Sequence, residues 1–331
     1  MSSSFLFHCQ TDAKKALSSI QELVRSDLTT PLSLRDLLGR SQAKLLESIG
    51  FIDTEPVLRI RPLLVSLAAR AAGAGSVDRE LQHAVELLHL VLVVRDVTLG
   101  RSGGLRRRMA QLVMRRSFDW LGAASQVTLR ALELARHTSH PAILGETVDT
   151  LREFSDGQAL SQQLRERSLV PNQSDWIDYA DTHTGALYAF CCRTGGHLGH
   201  APATALSALG RYGRHMGRLW TIASDAHHLT GAHAGSYLLR KAKTGQPILQ
   251  VVLATETHLA LGDAWSQLFH HSCTKTAHQV ANQVMGAPSA SRVKRAVAQE
   301  AWSAQQALRG LPDNRYRVAL HHLASQLAQV A

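Results

Sequence analysis

The sequence is poor in the residues that mark an exported or β-rich protein. It has only 4 cysteines in 331 residues, at positions 9, 191, 192 and 273, with no CxxC spacing and no disulfide framework among them. These cysteines are therefore expected to be buried thiols in a reducing cytoplasm. Aromatic residues make up only 5% of the chain, which argues against a β-sandwich or a β-barrel.

Long apolar runs are also missing. The longest, residues 87–94, includes His89 and ends before Arg95. A helix that crosses a bilayer needs roughly 20 apolar residues, so this run is far too short. The N-terminal segment, MSSSFLFHCQTDAKK, lacks the basic region and apolar core of a signal peptide. We therefore expect a soluble, cytoplasmic protein without a transmembrane segment.

The chain carries an excess of positive charge. Lys and Arg number 36 against 26 Asp and Glu, a net charge of +10 at pH 7. This excess favours anionic partners such as phosphorylated small molecules, nucleic acid or acidic lipid. The basic residues are spread along helical segments without interleaved aromatics, and no known nucleic-acid-binding motif is present, so nucleic acid is not expected as a partner.

Apolar residues recur at helical spacing through most of the chain, and most of its 9 prolines fall between the periodic segments. Alternation of period two, internal repeats and low-complexity tracts are not found. The fold class predicted is all-α, with one domain over residues 1–331. The predicted helices cover residues 11–28, 33–48, 56–73, the first half of 81–108, 105–136, 141–168, 173–194, 203–229 and 247–271, followed by three shorter helices. Gly195-Gly196 is expected to interrupt the chain after residue 194.

The stretch 81–108, LQHAVELLHLVLVVRDVTLGRSGGLRRR, joins an apolar helix to a polar, glycine-containing segment that ends in three arginines. A buried helix that presents Asp96 and is followed by arginines could hold a diphosphate. The carboxylate would then face a metal ion and the arginines would face phosphate oxygens. A core helix with a glycine-rich loop and a solvated arginine cluster explains the same pattern, and both interpretations stay open.

Several short motifs accompany this stretch. They are VLRIRP at 57–62, Gly157-Gln158, His183-Thr184, SDAHH at 224–228 and Gly245-Gln246-Pro247. In this order and spacing they resemble the trans-prenyl diphosphate synthases (polyprenyl synthetase family) over roughly residues 50–255. The resemblance implies an isoprenoid synthase-like bundle of long helices around a deep apolar cavity, usually in a dimer, with a prenyl diphosphate as ligand.

The resemblance also implies a role for individual residues. In this family two DDxxD motifs hold Mg²⁺ against the substrate, and here each motif keeps one carboxylate, Asp96 and Asp225. These two are the predicted catalytic residues and weak metal ligands, and His228 is a third catalytic candidate. The residues implied to bind diphosphate are Arg59, Arg61, Arg106, Arg107, His183 and Gln158.

The departures from the family pattern weaken the implied metal site. Mg²⁺ prefers oxygen ligands in octahedral geometry, and imidazole is a poor ligand for it. With one carboxylate in each motif, the usual three-metal cluster is not expected, although one Mg²⁺ could arrive with the substrate. Leu58, His183 and Gln246 stand where the family has lysine, so the site implied for the diphosphate of the homoallylic substrate is damaged as well. The cofactor expectation is an impaired requirement for Mg²⁺.

Each candidate also has a plainer explanation. Asp96 and Asp225 could be acids on a helix surface, and His227-His228 could be solvated residues near a helix end. Adjacent helical residues point about 100° apart, so these two histidines could not easily bind one ion. Gly157-Gln158 could be kept for helix packing alone.

Three functions remain open from sequence. The first is a weakly active or inactive accessory subunit of a prenyl diphosphate synthase, present as a homodimer or as a heterodimer with an active synthase. The second is an atypical prenyltransferase or terpene synthase-like enzyme that acts on a preformed allylic prenyl diphosphate. The third is a non-enzymatic protein that binds an anionic ligand.

Overall fold

Helices make up the regular structure of the described part of the chain, which confirms the all-α prediction. The computed structural model describes residues 18–28, 60–99, 120–168, 170–270, 273–286 and 289–330. The α-helices are α1 Ile60–Ala71, α2 Arg79–Leu99, α3 Trp120–Arg136, α4 Ala142–Arg167, α5 Gln173–Ala180, α6 Ala186–Leu198, α7 Ala203–Thr230, α8 Ala234–Thr244, α9 Leu249–Thr255, α10 Leu259–His270, α11 Thr274–Gly286, α12 Ala290–Ala307 and α13 Arg315–Val330. A π-helical turn, Asp181–Gly185, joins α5 to α6, and a 3₁₀ turn, Leu308–Gly310, follows α12.

Two apolar clusters hold the helices together. The larger cluster includes side chains from α1, α2, α6, α7 and α13. The smaller one joins α8, α10 and α11 to the end of α7. Both clusters contain residues of α7, so this long helix links the two halves of the core. The single-domain assignment over residues 1–331 stays a prediction.

The expected break at Gly195-Gly196 is wrong, because α6 continues through both glycines to Leu198. A Cβ atom on Gly195 would lie 2.5 Å from the backbone oxygen of Val65 in α1. Glycine therefore allows two buried helices to approach backbone to backbone here. Local propensity places a glycine at a helix end, but here the contact with α1 explains why glycine lies inside α6.

The chain between residues 234 and 270 also differs from the prediction. The basic segment before Gly245 belongs to α8, and the single helix expected over 247–271 is two helices, α9 and α10. Gly245 ends α8 with φ +69°, a left-handed conformation that favours glycine. Its backbone N–H donates to the carbonyl of Ala242, and that of Gln246 donates to the carbonyl of Lys241. This turn sets the position of Gln246.

Within the described ranges, none of the helices combines the length and hydropathy needed to cross a bilayer. The second predicted helix, 33–48, and the N-terminal part of the predicted 105–136 helix lie outside the described residues. The predicted helices 141–168 and 203–229 correspond closely to α4 and α7.

Candidate active site

Asp96 lies in the last turn of α2, where the apolar face of that helix ends. Its side chain is 29% exposed, so one edge remains open to solvent. Gln246 donates a hydrogen bond from Nε2 to Asp96 Oδ1 at 2.8 Å. His183 Nε2 lies 3.4 Å from the same oxygen. The turn after α8 and the π-helical turn therefore both contact the carboxylate.

The neighbours of Asp96 favour its charged form. Burial alone raises the pKa of Asp96, but the positive charges of His183, Lys241 and Arg240, with a hydrogen bond from His183, outweigh it and lower the pKa below its ordinary value. Asp96 is thus a carboxylate at neutral pH, and the group of cations around it comes from the π-helical turn and from α8.

Asp225 lies on α7 and is 1% exposed. The Tyr237 hydroxyl of α8 donates a short hydrogen bond to Asp225 Oδ1, and Lys241 Nζ lies 3.5 Å from the same oxygen. The other oxygen, Oδ2, is buried without a hydrogen-bond partner among the described residues. Burial, followed by the charge of Asp225, raises the pKa of Tyr237 well above its ordinary value, so this phenol stays a donor.

Lys241 acts on both carboxylates, because Nζ lies 3.5 Å from Asp225 Oδ1 and its charge lowers the pKa of Asp96. It is 8% exposed, and its ammonium group lies 5.6 Å from the ring centres of both Tyr179 and Tyr237. Burial and the negative charges of Asp96 and Asp225 together raise the pKa of Tyr179 well above its ordinary value. Both carboxylates therefore lie close to the Tyr179–Lys241 contact, and together they form one site.

Two histidines predicted from sequence stack on the tyrosines of this site. His183 packs against Tyr179 with ring centres 5.0 Å apart, and His228 packs against Tyr237 at 4.5 Å. His228 Nδ1 lies 2.6 Å from the carbonyl oxygen of Ser224, so Nδ1 carries the proton that it donates. Burial lowers the pKa of His228, which favours a neutral ring with Nε2 free of a proton.

The π-helical turn that carries His183 is held by an ion pair. Arg218 of α7 donates from Nε and Nη2 to the two carboxylate oxygens of Asp181, at 2.7 and 2.6 Å. A Cβ atom on Gly217 would lie 2.6 Å from the Cα of Gly185, so the turn packs directly on α7. Short π-helical turns often occur at functional sites, and this one directs His183 towards Asp96.

The other residues predicted to bind diphosphate are placed differently. Arg61 pairs with Glu86 of α2 through Nε and Nη2, at 3.2 and 2.9 Å. Burial alone lowers the pKa of Arg61, but the charge of Glu86 outweighs it and the pKa is raised. Gln158 is half-buried on α4, beside Gly157, whose Cβ would meet Thr182 Oγ1 at 2.6 Å. Diphosphate binding by Arg61 and Gln158 stays a prediction.

Three of the predicted phosphate ligands, Arg59, Arg106 and Arg107, lie outside the described residues. Conversely, Lys241 and Tyr237 belong to none of the sequence motifs. Their spacing of four residues on one helix was the available signal, because residues at i and i+4 share a face. The sequence alone does not show that this face points at Asp225.

Comparison with known proteins gives a match over the part of the chain that holds these site residues. The family model described as polyprenyl synthetase matches residues 55–242, which include Asp96, His183, Asp225 and Lys241. The chain belongs to the polyprenyl synthetase family.

Curated relatives in this family include a (2E,6E)-farnesyl diphosphate synthase from Mycobacterium tuberculosis, 29% identical over 199 residues that cover 57% of this chain and 51% of that protein. A geranylgeranyl diphosphate synthase from Methanosarcina mazei is 28% identical over 178 residues, covering 52% of this chain and 55% of that one. The chain thus spans about half the length of the curated relatives it matches.

Solved structures show the same fold over nearly the whole chain. A geranylgeranyl pyrophosphate synthase from Bacteroides thetaiotaomicron has a TM-score of 0.75 at 16% identity and covers 96% of this chain and 99% of that one. A polyprenyl synthase from Caulobacter crescentus, complexed with calcium and isoprenyl diphosphate, has a TM-score of 0.72 at 22% identity, covering 96% and 95%. At these identities the likeness establishes the fold.

Members of the polyprenyl synthetase family use Mg²⁺ for catalysis. The described residues of this member contain no group of three or more His, Cys, Asp or Glu that could hold a metal ion. Asp96 accepts a hydrogen bond from Gln246, and Asp225 accepts one from Tyr237 and lies 3.5 Å from Lys241 Nζ. Because Mg²⁺ prefers oxygen ligands, Asp96 and Asp225 are the described residues that would hold the ion, and the impaired requirement for Mg²⁺ stays a prediction.

Proposed function

We propose that this protein binds a prenyl diphosphate but has little or no metal-dependent chain elongation of its own, and that it acts as an accessory subunit of an active prenyl diphosphate synthase. One observation carries the proposal. The two carboxylates of the site are engaged by groups of the same chain: Asp96 by Gln246 and His183, and Asp225 by Tyr237 and Lys241.

Engaged carboxylates make poor metal ligands. At Asp225, a Mg²⁺ ion would either displace the Tyr237 hydroxyl from Oδ1 or bind Oδ2 alone, and in both positions it would lie close to Lys241. Ionisation of a prenyl diphosphate needs strong electrostatic stabilisation of the leaving group, and in this family metal ions supply it. Loss of the cluster should therefore slow this step while it leaves a place for the substrate.

Anion binding is supported by the charges that remain. Lys241 and Arg240 lie on α8, and the charges of both lower the pKa of Asp96, whose side chain is 29% exposed. Two permanent cations against two carboxylates leave the site close to neutral before His183 is counted. A diphosphate group that enters beside Asp96 would add hydrogen bonds to these cations.

The partner inferred is an active synthase of the same fold. The chain keeps the overall architecture of the solved synthases. It has one carboxylate, Asp96 or Asp225, at each place where the resemblance puts an Asp-rich motif. A subunit of this kind could shape the product cavity of a neighbour that supplies the metal site. The complex would be a homodimer if the protein pairs with itself and a heterodimer if it pairs with such a synthase.

A second candidate is an enzyme that acts on a preformed allylic prenyl diphosphate. The ring pairs Tyr179–His183 and Tyr237–His228 favour it, because aromatic faces stabilise positive charge such as that of an allylic cation. This candidate predicts a product from geranyl or farnesyl diphosphate without isopentenyl diphosphate. Asp96, Asp225 and His228 would be its catalytic residues.

The test combines activity with association. The purified full chain is incubated with farnesyl diphosphate, labelled isopentenyl diphosphate and MgCl₂, alone and with an active farnesyl or geranylgeranyl diphosphate synthase from the same cell. We expect no elongation by the chain alone, a stable complex on size-exclusion chromatography, and a changed product length in the complex. Elongation by the chain alone at the rate of the active synthase would contradict the proposal, and a product without isopentenyl diphosphate would favour the second candidate.

A further inference from the structure

Lys241 occupies an unusual position for a lysine. It is 8% exposed, and lysine is almost never buried unless it is paired. Its ammonium group lies 3.5 Å from Asp225 Oδ1 and 5.6 Å from the centres of the Tyr179 and Tyr237 rings. The carboxylate and the two aromatic faces together compensate for the water that the ammonium group has lost.

Asp225 depends on this lysine for its charge balance. Its carboxylate is 1% exposed, and Tyr237 supplies a neutral hydrogen bond to Oδ1. The buried Oδ2 has no hydrogen-bond partner among the described residues, which is a high cost for a charged group unless a cation lies close by. Lys241 is the cation that meets this need.

A divalent ion at Asp225 would compete with Lys241 for the same negative charge. An ion bound to Oδ2 would lie within a few ångströms of the ammonium group, and like charges at that distance repel strongly where little water screens them. Lys241 and a divalent ion therefore exclude one another at Asp225. The side chain that the sequence supplies at this position does electrostatically what a metal ion would do.

We propose that Lys241 takes the place of a divalent cation beside Asp225, so that the site binds a prenyl diphosphate without any divalent cation. This inference rests on the proposed function, namely that the site takes a diphosphate. It makes a prediction that a metal-ligand role for Asp225 does not share. Neutralising Asp225 should release Lys241 to the ligand and strengthen binding.

The experiment is calorimetric titration of the full chain with farnesyl thiolodiphosphate, a non-hydrolysable probe, in excess EDTA and in excess MgCl₂. The wild type is expected to bind with the same affinity, within about twofold, in both conditions. Asp225→Asn should bind about 10-fold more tightly in EDTA, because the freed lysine gains a charge-assisted hydrogen bond to phosphate. Lys241→Met should bind about 10- to 100-fold more weakly. Lys294→Met, which removes the same charge from an exposed position of α12, is the matched control and should not change affinity.

The outcomes separate this inference from the proposed function. Binding that requires MgCl₂ and is weakened by Asp225→Asn would overturn the inference and leave diphosphate binding intact. Absence of binding in both conditions would overturn both. If Lys241→Met fails to fold, because Asp225 is then an uncompensated buried charge, the double variant Lys241→Met/Asp225→Asn replaces it. The double variant should fold and bind more weakly than Asp225→Asn alone, and equal affinity would overturn the inference.

Discussion

The hydrogen bond from Tyr237 to Asp225 offers a direct measure of how firmly the chain engages its own carboxylates. In Tyr237→Phe the ring and its packing on His228 remain, but Oδ1 loses its hydroxyl donor. A hydrogen bond to a charged group contributes roughly 1.5–3 kcal/mol, and Asp225 is 1% exposed, so water cannot replace the donor. We expect Tyr237→Phe to lower the free energy of unfolding by about 2–3 kcal/mol.

Urea denaturation of the full chain, followed by far-UV circular dichroism, measures this change. Tyr212→Phe is the matched control, because the Tyr212 hydroxyl is also buried but donates to a neutral backbone carbonyl, that of Leu320, at 2.7 Å. It should cost about 1 kcal/mol. In the Asp225→Asn background the cost of Tyr237→Phe should fall by about 1–2 kcal/mol, whereas the cost of Tyr212→Phe should not change. A coupling between Tyr237 and Asp225 below about 0.3 kcal/mol would refute the reasoning.

Three further predictions concern packing, metal binding and pH. Gly195→Ala places a Cβ 2.5 Å from a backbone oxygen and should destabilise the chain by about 1–3 kcal/mol. The control, Gly145→Ala, has nothing within 4 Å of the added Cβ and should be neutral or stabilising. Thermal melts compare the two variants, and equal shifts in melting temperature would contradict the packing role of Gly195. Ser224→Asp/His228→Asp in a Lys241→Met background places carboxylates at positions 224, 225 and 228 and removes the competing positive charge. It should create Mn²⁺ binding that electron paramagnetic resonance detects, and an unchanged spectrum would count against the proposal that missing carboxylates weaken the metal site. Because the pKa of folded Asp96 lies below its unfolded value, its charge stabilises the fold above that unfolded value, near 3.8, and this stability is lost as the pH falls through the lower folded pKa. Asp96→Asn should therefore be less stable than the wild type at neutral pH but not in strong acid, and a pH-independent difference in urea midpoints would contradict this.

The sequence was sufficient to predict features that depend on one helix alone. Apolar spacing predicts α4 and α7 closely, and the polar change after the apolar run of α2 places Asp96 at the end of that helix. Predictions from local helix propensity failed where a contact between two helices determines the structure. Gly195 allows α6 to approach α1, although glycine alone suggests a helix end.

The same limit explains what sequence reasoning left out of the site. Lys241 and Asp225 are 16 residues apart and come together because α8 folds back on α7 after Gly231. Arg61 and Glu86 pair across 25 residues, which no motif at Arg61 reveals. Charge alone predicted an anion site, but which cations face which carboxylates depends on the packing of α2, α7 and α8.

Anomalous X-ray diffraction tests the central claim most directly. Crystals of the full chain would be grown with farnesyl thiolodiphosphate and MnCl₂, and data would be collected at the manganese edge. The account predicts a diphosphate near Lys241 and Asp96 and no anomalous peak within coordination distance of either Asp225 oxygen. A manganese peak bound to Asp225 Oδ2, with Lys241 displaced from the carboxylate, would contradict it.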